Sequence, residues 1–258
     1  MSTRLNPRNW FRKKKRAVSF VVVTFDTYFF TRLLVEKIRE FVGFRDYEII
    51  VVDRGSSDGT VEWMQRQKDV RLLIQPQTGH AHGHGEAAQK AAKQATHPII
   101  VLMDSDAHPV HPQWLEWTAD RLDDHHRLAG PVFHGNHSGN PYGWYIHPHF
   151  LSFWKKDAGK LVVLGKKRGE TTDTGEEATI RMLDAGKGLI THPLEPSDIR
   201  VGHPDFPTVG AGVFHAWYGT RMVKDANAVD SETSGIVTGD AYQTPLLAAL
   251  RSRYRLKY

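Results

Sequence analysis

The chain has 258 residues, a formal net charge of +5 and a hydrophobic fraction of 40%, values typical of a globular protein with one large core or two modest ones. Disorder over most of the length is excluded, and so are membrane-spanning helices, because no apolar stretch approaches the roughly 18 to 20 residues that a bilayer requires. The absence of cysteine excludes disulfides, thiolate catalysis and Cys-ligated zinc, so a metal would need Asp, Glu or His ligands.

Positive charge is concentrated near the two ends, in RKKKR (Arg12 to Arg16) and RSRYRLKY (Arg251 to Tyr258). These segments are either solvated tails or a means of attachment to anionic lipid headgroups, which attract each nearby basic residue by about 1 kcal/mol. We expect no nucleic-acid partner, because the chain has neither an RNP-like aromatic motif nor zinc-knuckle spacing. The N-terminal segment lacks the apolar core of a signal peptide, so the predicted location is the cytoplasm, with peripheral contact at the inner membrane face as an option.

The first half alternates between predicted strands and predicted helices. Apolar and β-branched runs predict strands at 17–25, 47–53, 70–76 and 97–104. Between them, apolar spacings of three and four, or alanine-rich composition, predict helices at about 30–41, from about Val61, and at 85–95. Strict alternation of helices with strands that are apolar throughout predicts a doubly wound α/β fold, in which helices cover both faces of a mostly parallel sheet.

The second half is less regular. We predict a helix at 111–124, a strand at 128–133, an irregular stretch at 135–154 that suits a substrate-facing loop, and a helix from about Gly175 to Gly186 that is followed by a strand. No internal repeat or Ser/Gly-rich linker divides the chain. We therefore predict one domain with two lobes, at 17–128 and 129–258, after a basic tail at 1–16.

Polar residues follow the predicted parallel strands at their carboxyl ends, where ligands of such sheets bind. Carboxylates stand at three of these four ends, which is more than a core requires. The residues at the four ends are Thr24, Phe25 and Asp26; Asp53 and Arg54; Pro76 to Gly79; and Asp104 to Asp106.

Three segments together resemble the inverting GT-A glycosyltransferases of family 2. They are VSFVVVTFDTYFFTRLLVEKI, YEIIVVDRGSSDGTVEWM and IIVLMDSDAHPVHPQWLE. The resemblance is good over about 17–125 and thin to about 221. It implies a GT-A fold and transfer of a sugar from a nucleotide-diphosphate donor to a hydroxyl acceptor.

The D-S-D motif is the candidate metal site. A departing diphosphate must be neutralised, and a divalent cation with oxygen ligands, Mn²⁺ or Mg²⁺, suits that task. The resemblance implies that Asp106 contacts the metal, while Asp104 is the second ligand and lies toward the ribose or a metal-bound water. The alternative is a helix cap, because Asp and Ser commonly precede helices.

The resemblance also implies a nucleotide site at the ends of the first two strands, formed by Thr24, Phe25, Asp26, Asp53 and Arg54. Two of these residues depart from the family, which usually has Asn in place of Asp26 and Asp or Asn in place of Arg54. Arginine has only donors and uracil N3 is itself a donor. We therefore expect a guanine or thymine donor rather than uracil. The alternative for RGSSDGT is a strand-to-helix connection capped by Asp58 or Thr60.

An inverting transfer needs a carboxylate that takes the proton of the acceptor hydroxyl. The family pattern places this base, usually Glu-Asp, at the start of a helix after the acceptor loop. The corresponding segment here is TTDTGEEATIR. We favour Asp173, which precedes the helix; Glu176 and Glu177 are the alternatives, since they could simply favour the helix dipole.

Two further segments are candidates for donor contacts. By resemblance, His215 in GVFHAWYGTR completes the metal shell and Arg221 meets the diphosphate, although with 15 histidines in the chain a packed or surface histidine is an equal alternative. The segment GHAHGHG begins with Gly79 and His80, for which we expect phosphate or sugar contacts. Alternating histidines on a Gly-rich loop do not fix a coordination geometry, so we do not predict a separate metal there.

The sequence therefore predicts a metal-dependent, inverting glycosyltransferase. Without transmembrane helices or a Q-x-x-R-W motif, we expect one transfer per encounter rather than processive synthesis, with a glycan, a lipid-linked glycan or a small molecule as acceptor. One alternative is a nucleotidyltransferase on a similar fold, but TFDTYFF replaces the Gly-rich loop that such an enzyme has after its first strand. Another is a catalytically silent module that binds a nucleotide or sugar.

Overall fold

A computed structural model of the chain describes residues 15–76, 83–135, 140–164, 174–199, 207–217 and 240–255. Its strands are β1 (Val18–Thr24), β2 (Tyr47–Asp53), β3 (Val70–Ile74), β4 (Ile99–Asp104), β5 (Ala107–Pro109), β6 (His126–Phe133), β7 (Tyr145–Ile146), β8 (Phe150–Trp154), β9 (Gly188–His192), β10 (Leu194–Pro196), β11 (Thr208–Gly210) and β12 (Val213–His215). Its α-helices are α1 (Tyr28–Phe41), α2 (Thr60–Gln65), α3 (Gly83–Gln94), α4 (Trp114–Trp117), α5 (Thr174–Asp184) and α6 (Asp240–Tyr254).

The large sheet has the strand order β3-β2-β1-β4-β8-β6-β7, with β9 paired to β6. The first four strands are mutually parallel, as the alternation of strands and helices predicted. Their register places Thr24 beside Asp53 and Val23 beside Asp104. The carboxyl ends of β1, β2 and β4 therefore lie at one edge of the sheet.

The two faces of this sheet bury separate apolar clusters because side chains alternate along a strand. Val18, Phe20 and Val22 of β1 face one cluster with α1, α2 and α4. Val21 and Val23 face the other cluster, with the alanine side of α3 and part of α5. Each large side chain buried in this way stabilises the fold by about 1.5 to 3 kcal/mol.

The remainder of the large sheet is mostly antiparallel and includes strands that we did not predict. β8 pairs antiparallel with β4 and β6, and β7 pairs antiparallel with β6. Our prediction of an irregular stretch at 135–154 was therefore wrong for residues 145–146 and 150–154. The five residues FLSFW of β8 are buried except at their end, because β8 pairs with a strand on each side. This pairing outweighs the irregular structure that the preceding Pro, Gly and His residues favour.

The prediction of one helix at 111–124 was also wrong. Helix α4 has four residues, and a single 3-10 turn follows at Ala119–Arg121. The break lies at Thr118, whose φ of -123° and ψ of -86° are not helical and whose Oγ1 donates to the Trp114 carbonyl at 2.8 Å. A side-chain bond of this kind competes with the helical pattern of backbone bonds.

A second, small sheet has the order β10-β11-β12-β5 and is antiparallel. Its strand β5 directly follows the D-S-D motif. The pairing of β12 with β5 sets His215 opposite Ala107, and the amide of Ala216 donates to the Asp106 carbonyl at 3.1 Å. A residue distant in sequence is thus fixed next to the motif.

Helix α6 packs on a third apolar cluster. Its Leu246 and Leu250 are buried with Phe30, Leu33 and Phe214. Among the described residues, no helix combines the length and apolarity needed to cross a bilayer.

Candidate functional site

The D-S-D motif forms the turn between β4 and β5 at the carboxyl edge of the large sheet. The Asp104 amide donates to the His149 carbonyl at 3.0 Å. Ser105 accepts a 3.0 Å hydrogen bond from the Thr27 hydroxyl, which ties the turn to the start of α1. Asp106 is buried, whereas the Asp104 side chain is 22% exposed. The turn is held on both sides, and its two carboxylates differ in their access to solvent.

His215 faces both carboxylates. Its Nε2 lies 3.4 Å from Asp106 Oδ1 and 4.0 Å from Asp104 Oδ2. One ligand atom from each of the three residues lies within 4.8 Å of the others. Two carboxylate oxygens and one imidazole nitrogen are ligands that suit Mn²⁺, and the oxygens suit Mg²⁺. The predicted metal-binding residues are thus brought together, and their donor chemistry fits the predicted ion.

His84, from the His-rich segment, also approaches this group. Its Nε2 lies 3.7 Å from Asp104 Oδ1, and its side chain is half-exposed in the first turn of α3. The N-terminus of a helix favours negative ligands. His84 faces Asp104 from a half-exposed position, whereas His215 faces both carboxylates from a buried one.

Asp26 has a structural role that the sequence did not predict. Its φ is 48°, a region that short polar residues tolerate better than others. Its Oδ1 accepts hydrogen bonds from the Ser57 amide at 2.7 Å and the Ser57 hydroxyl at 3.3 Å, and its own amide donates to Ser56 Oγ at 2.9 Å. These bonds join the loop after β1 to the loop after β2. Thr24 is buried in a cluster of threonine hydroxyls with Thr27 and Thr31, while Phe25 is half-buried.

Asp53 is fully buried at the end of β2. Its Oδ1 accepts from the amides of Gly55 and Ser56 at 2.8 and 2.9 Å, while its Oδ2 has no hydrogen-bond partner among the described residues. A buried acceptor of this kind is costly unless something donates to it. Arg54 extends to Gly83 at the start of α3, where a Cβ atom would collide with its guanidinium. Asp53 thus has an acceptor without a described donor, and the Arg54 guanidinium lies at the start of α3.

The N-cap of α2 is Gly59, not Asp58 or Thr60 as the alternative had it, but Asp58 still accepts bonds at the helix start. Asp58 Oδ1 accepts from the Thr60 amide and hydroxyl at 3.1 and 2.6 Å, and Asp58 Oδ2 accepts from the Tyr28 amide at 2.7 Å. Asp58 therefore satisfies the first amides of two helices, α1 and α2.

The alternative base residues are both buried in the first turn of α5. Glu176 and Glu177 are 0% and 1% exposed. Glu177 Oε1 accepts from Arg181 Nε at 2.5 Å. A Cβ atom on Gly175 would collide with the Ile146 carbonyl, so the start of α5 lies tightly against β7. The other predicted residues in these segments, Gly79, His80, Asp173 and Arg221, lie outside the described residues.

Two histidines next to the site were not predicted. The rings of His149 and His215 are parallel and stacked, with centroids 4.3 Å apart, and His147 Nδ1 lies 2.7 Å from His149 Nδ1. Burial, with the nearby His215, holds the pKa of both His147 and His149 well below the usual range. Nothing in H-P-H predicts this contact, because residues 148 and 149 form a turn before β8 rather than an extended segment.

The comparison with protein families decides the class of the chain. A family model described as glycosyl transferase family 2 matches residues 19–183, more than half of the chain. The chain belongs to this family. The predicted family is thereby confirmed.

One solved structure, with a TM-score above 0.5, also confirms the GT-A fold. The mannosyltransferase PcManGT from Pyrobaculum calidifontis, in complex with GDP-Man and Mn²⁺, aligns with a TM-score of 0.54 at 21% identity, over 70% of this chain and 56% of its own. Glucosyl-3-phosphoglycerate synthase from Mycobacterium tuberculosis, in complex with Mn²⁺, UDP and phosphoglyceric acid, aligns at 0.49 and 18% identity over 69% and 68%. The chain described here thus spans a little over half the length of the mannosyltransferase.

Proposed function

We propose that this glycosyltransferase moves a sugar from a nucleotide-diphosphate donor to a hydroxyl acceptor, with inversion, one transfer per encounter and dependence on a divalent cation. The main support is the meeting of Asp104, Asp106 and His215 at the carboxyl edge of the parallel strands, where ligands of such sheets bind. In the GT-A family this edge is also the nucleotide side of the fold.

The cation would be Mn²⁺ or Mg²⁺, held by Asp106 and His215, with Asp104 on its solvent side. When bound, the ion neutralises the diphosphate that leaves. Asp106 and His215 are buried, and the β5–β12 pairing holds their backbones next to each other. The more exposed Asp104 can orient the ribose or a water. Arg221, Gly79 and His80 remain our candidates for contacts with the diphosphate and sugar.

The nucleotide base would lie between the loops after β1 and β2, with Thr24, Phe25 and Asp26 on one side and Asp53 and Arg54 on the other. Asp53 Oδ2 is buried without a described donor, so it could accept a base N–H if the loops after β1 and β2 part, and Arg54 can donate to a base carbonyl. Guanine and thymine both meet these requirements. Uracil meets them as well, since Asp53 supplies the acceptor that Arg54 lacks.

We assign the catalytic base to Asp173. Burial of Glu176 and Glu177 supports this choice, because neither carboxylate is exposed to an acceptor hydroxyl. In the reaction the carboxylate takes the hydroxyl proton while the acceptor oxygen bonds to the anomeric carbon. The bond from that carbon to the phosphate oxygen breaks on the opposite face, and the diphosphate leaves with the electron pair.

The acceptor would bind between about residues 130 and 220, and would be a glycan, a lipid-linked glycan or a small molecule. A cytoplasmic location with peripheral contact to an anionic membrane remains part of this proposal, and we propose no nucleic-acid partner. Of the basic residues at the ends, Lys15 and Arg253 already bind Glu116 and Asp198 at 2.7 and 2.6 Å. Membrane attraction would therefore depend mainly on the other basic residues of these two segments.

Turnover tests this function. Release of nucleoside diphosphate from GDP-, UDP- and dTDP-sugars is measured with a mixture of acceptor alcohols, in Mn²⁺ and then in EDTA. We expect turnover of one nucleotide class in Mn²⁺ only, and a fall of about 100-fold or more in Asp173→Asn with nucleotide affinity retained. Nucleotide binding without any turnover would instead indicate a silent binding module.

A further inference from the structure

Three buried imidazoles form a cluster on the inner side of the D-S-D motif. His147, His149 and His215 are 8%, 0% and 4% exposed. One nitrogen from each lies within 4.8 Å of the other two. Only His215 belongs to the carboxylate site described above, so the cluster is a second group of potential ligands.

The hydrogen bonds determine where the protons of two of these rings lie. The His149 amide donates to His147 Nδ1 at 3.3 Å, so this nitrogen is an acceptor. His149 Nδ1, at 2.7 Å from the same atom, must then be the donor. A neutral imidazole has one N–H, so His149 Nε2 has a lone pair.

Two nitrogens of the cluster lack hydrogen-bond partners. Among the described residues, nothing pairs with His149 Nε2 or with His215 Nδ1, and both atoms are buried. Buried polar atoms are almost always paired, and an exception calls for an explanation such as an ion. Here two such unpaired nitrogens occur on adjacent rings, one on His149 and one on His215.

The geometry points to a second metal site, formed by His147, His149 and His215 and suited to a borderline transition ion such as Zn²⁺ or Co²⁺. Neutral imidazoles suit such ions, whereas Mg²⁺ requires oxygen ligands. His215 binds the ion through Nδ1 and directs its Nε2–H toward Asp106, 3.4 Å away. A carboxylate behind a metal-bound histidine is the usual arrangement of outer ligands.

One ring must move when the ion binds. The His149 and His215 planes are 3° apart, and an ion cannot lie in the plane of two parallel stacked rings. Rotation about a Cβ–Cγ bond is soft for histidine, so the cost is mainly loss of the stack. In the same step, the hydrogen bond from His149 Nδ1 to His147 Nδ1 has to break, so that His147 Nδ1 can bind the ion.

This site competes with the proposed catalytic cation, a consequence that rests on the proposed function. His215 cannot offer Nε2 to the Asp104–Asp106 ion while that nitrogen bears a proton and Nδ1 binds another metal. Zn²⁺ in the imidazole site therefore lowers the affinity of the carboxylate site for Mn²⁺. The device would make the enzyme sensitive to zinc.

The test is titration of the 258-residue chain with Co²⁺ alone, without nucleotide. Binding is followed by the visible absorption that Co²⁺ gains when imidazoles bind it in low-coordinate geometry. Zn²⁺ is then added to displace it. Four variants are compared: His147→Gln/His149→Gln, Asp104→Asn/Asp106→Asn, the matched exposed pair His125→Gln/His126→Gln, and His80→Gln/His82→Gln/His84→Gln for the His-rich segment. Circular dichroism checks that each variant folds, and the single variants His147→Gln and His149→Gln replace the double one if it does not.

We expect wild type, the carboxylate variant and both histidine controls to give the absorption signal. The His147/His149 variant should bind Co²⁺ more than about 100-fold more weakly. Removal of an outer-shell partner alone costs less than this, about 10- to 100-fold. A signal that is lost in the carboxylate variant and kept in the His147/His149 variant would overturn the second site. No signal in wild type would overturn it as well. Neither result depends on sugar transfer, so failure here is distinct from failure of the proposed function.

Discussion

Carboxylates of the same residue type perform different tasks at this edge of the sheet, according to what each one contacts. Asp26 and Asp58 accept several amide bonds and join loops or helix ends. One oxygen of Asp53 accepts hydrogen bonds from backbone amides, and the other is buried without a described partner. Asp104 and Asp106 instead face an imidazole. The local contacts thus separate structural from chemical roles where residue type alone does not.

At the residue scale we predict that Glu177→Gln affects stability more than catalysis. The substitution weakens the buried charge-assisted bond to Arg181 and should lower the free energy of unfolding by about 1 to 2 kcal/mol. The turnover number should change by less than about threefold, because the base is assigned to Asp173 and a positioned base contributes about 10² to 10⁴. Urea unfolding and steady-state turnover measure the two effects, with Asp173→Asn in parallel. A large loss of turnover in the Glu177 variant, with activity kept in the Asp173 variant, would reverse the assignment.

At the residue scale, the position of the D-S-D aspartates at the edge of the sheet could be predicted from the sequence, because they follow a continuous apolar strand. The position of His215 came from the family resemblance. His147 and His149 could not be found in the same way, since they follow an interior strand pairing that brings residue 149 to the Asp104 amide. In sequence they are two among many histidines next to prolines.

The elements that position the site are a mixture of local and non-local structures. Strands β1, β2 and β4 and helices α1 and α3 could be predicted, because each has its own apolar pattern. The three-residue strands β5, β10, β11 and β12 could not, because each is stable only in pairing with distant segments. Their sheet nevertheless sets His215 beside the motif.

At the element scale we predict that Gly212→Ala loosens this sheet. Ala211 and Gly212, between β11 and β12, have φ values of 51° and 76°, as in a type I′ hairpin turn. A Cβ on Gly212 would lie 3.0 Å from the Cβ of His111 and 3.2 Å from the Trp117 ring. Strain from the left-handed backbone alone costs about 1 to 2 kcal/mol, and the contacts add to it. Since His215 follows three residues later, Mn²⁺ affinity should also fall.

The matched control is Gly186→Ala. Gly186 has a φ of 65° with nothing within 4 Å of an added Cβ, so it carries the backbone strain without the contacts. Thermal unfolding and Mn²⁺ titration compare the two variants. Equal stability losses, with Mn²⁺ affinity unchanged in both, would show that the hairpin does not position His215.

At the scale of the whole molecule, helix α6 contacts the strand that follows the D-S-D motif. The Tyr254 hydroxyl lies 2.8 Å from His108 Nε2, two residues beyond Asp106. Burial raises the pKa of Tyr254 to about 12. The helix is therefore docked through a neutral phenol next to the strand that follows the D-S-D motif.

We predict a loss of stability at high pH from this contact. The folded state keeps the Tyr254 proton up to about pH 12, while the unfolded chain releases it above about pH 10. The contribution is therefore complete below pH 10 and is lost as the pH rises toward 12, by at most about 2 kcal/mol. Urea unfolding across this range should show a smaller decline in Tyr254→Phe than in wild type. The exposed Tyr142→Phe is the control, and a decline in Tyr254→Phe as steep as in wild type would contradict the account.

The fold as a whole was predictable because a parallel sheet with both faces covered follows from apolar strands alternating with helices. The boundary between lobes at 128 and 129 stays a prediction. It falls inside β6, and the large sheet takes strands from both sides of it. The architecture is thus more continuous than the change in sequence pattern indicated.

The most direct test of the central claim is calorimetric titration of GDP, UDP, dTDP and CDP into the purified protein, each with Mn²⁺ and then with EDTA. Asp106→Asn is the test variant, and Asp124→Asn, whose side chain is 97% exposed, is the matched control. We predict that one nucleotide binds in Mn²⁺ only, and that its affinity falls by about 100-fold or more in Asp106→Asn and stays unchanged in Asp124→Asn. Tight binding that is indifferent to EDTA and to Asp106→Asn would show that the D-S-D motif is only a strand end and turn.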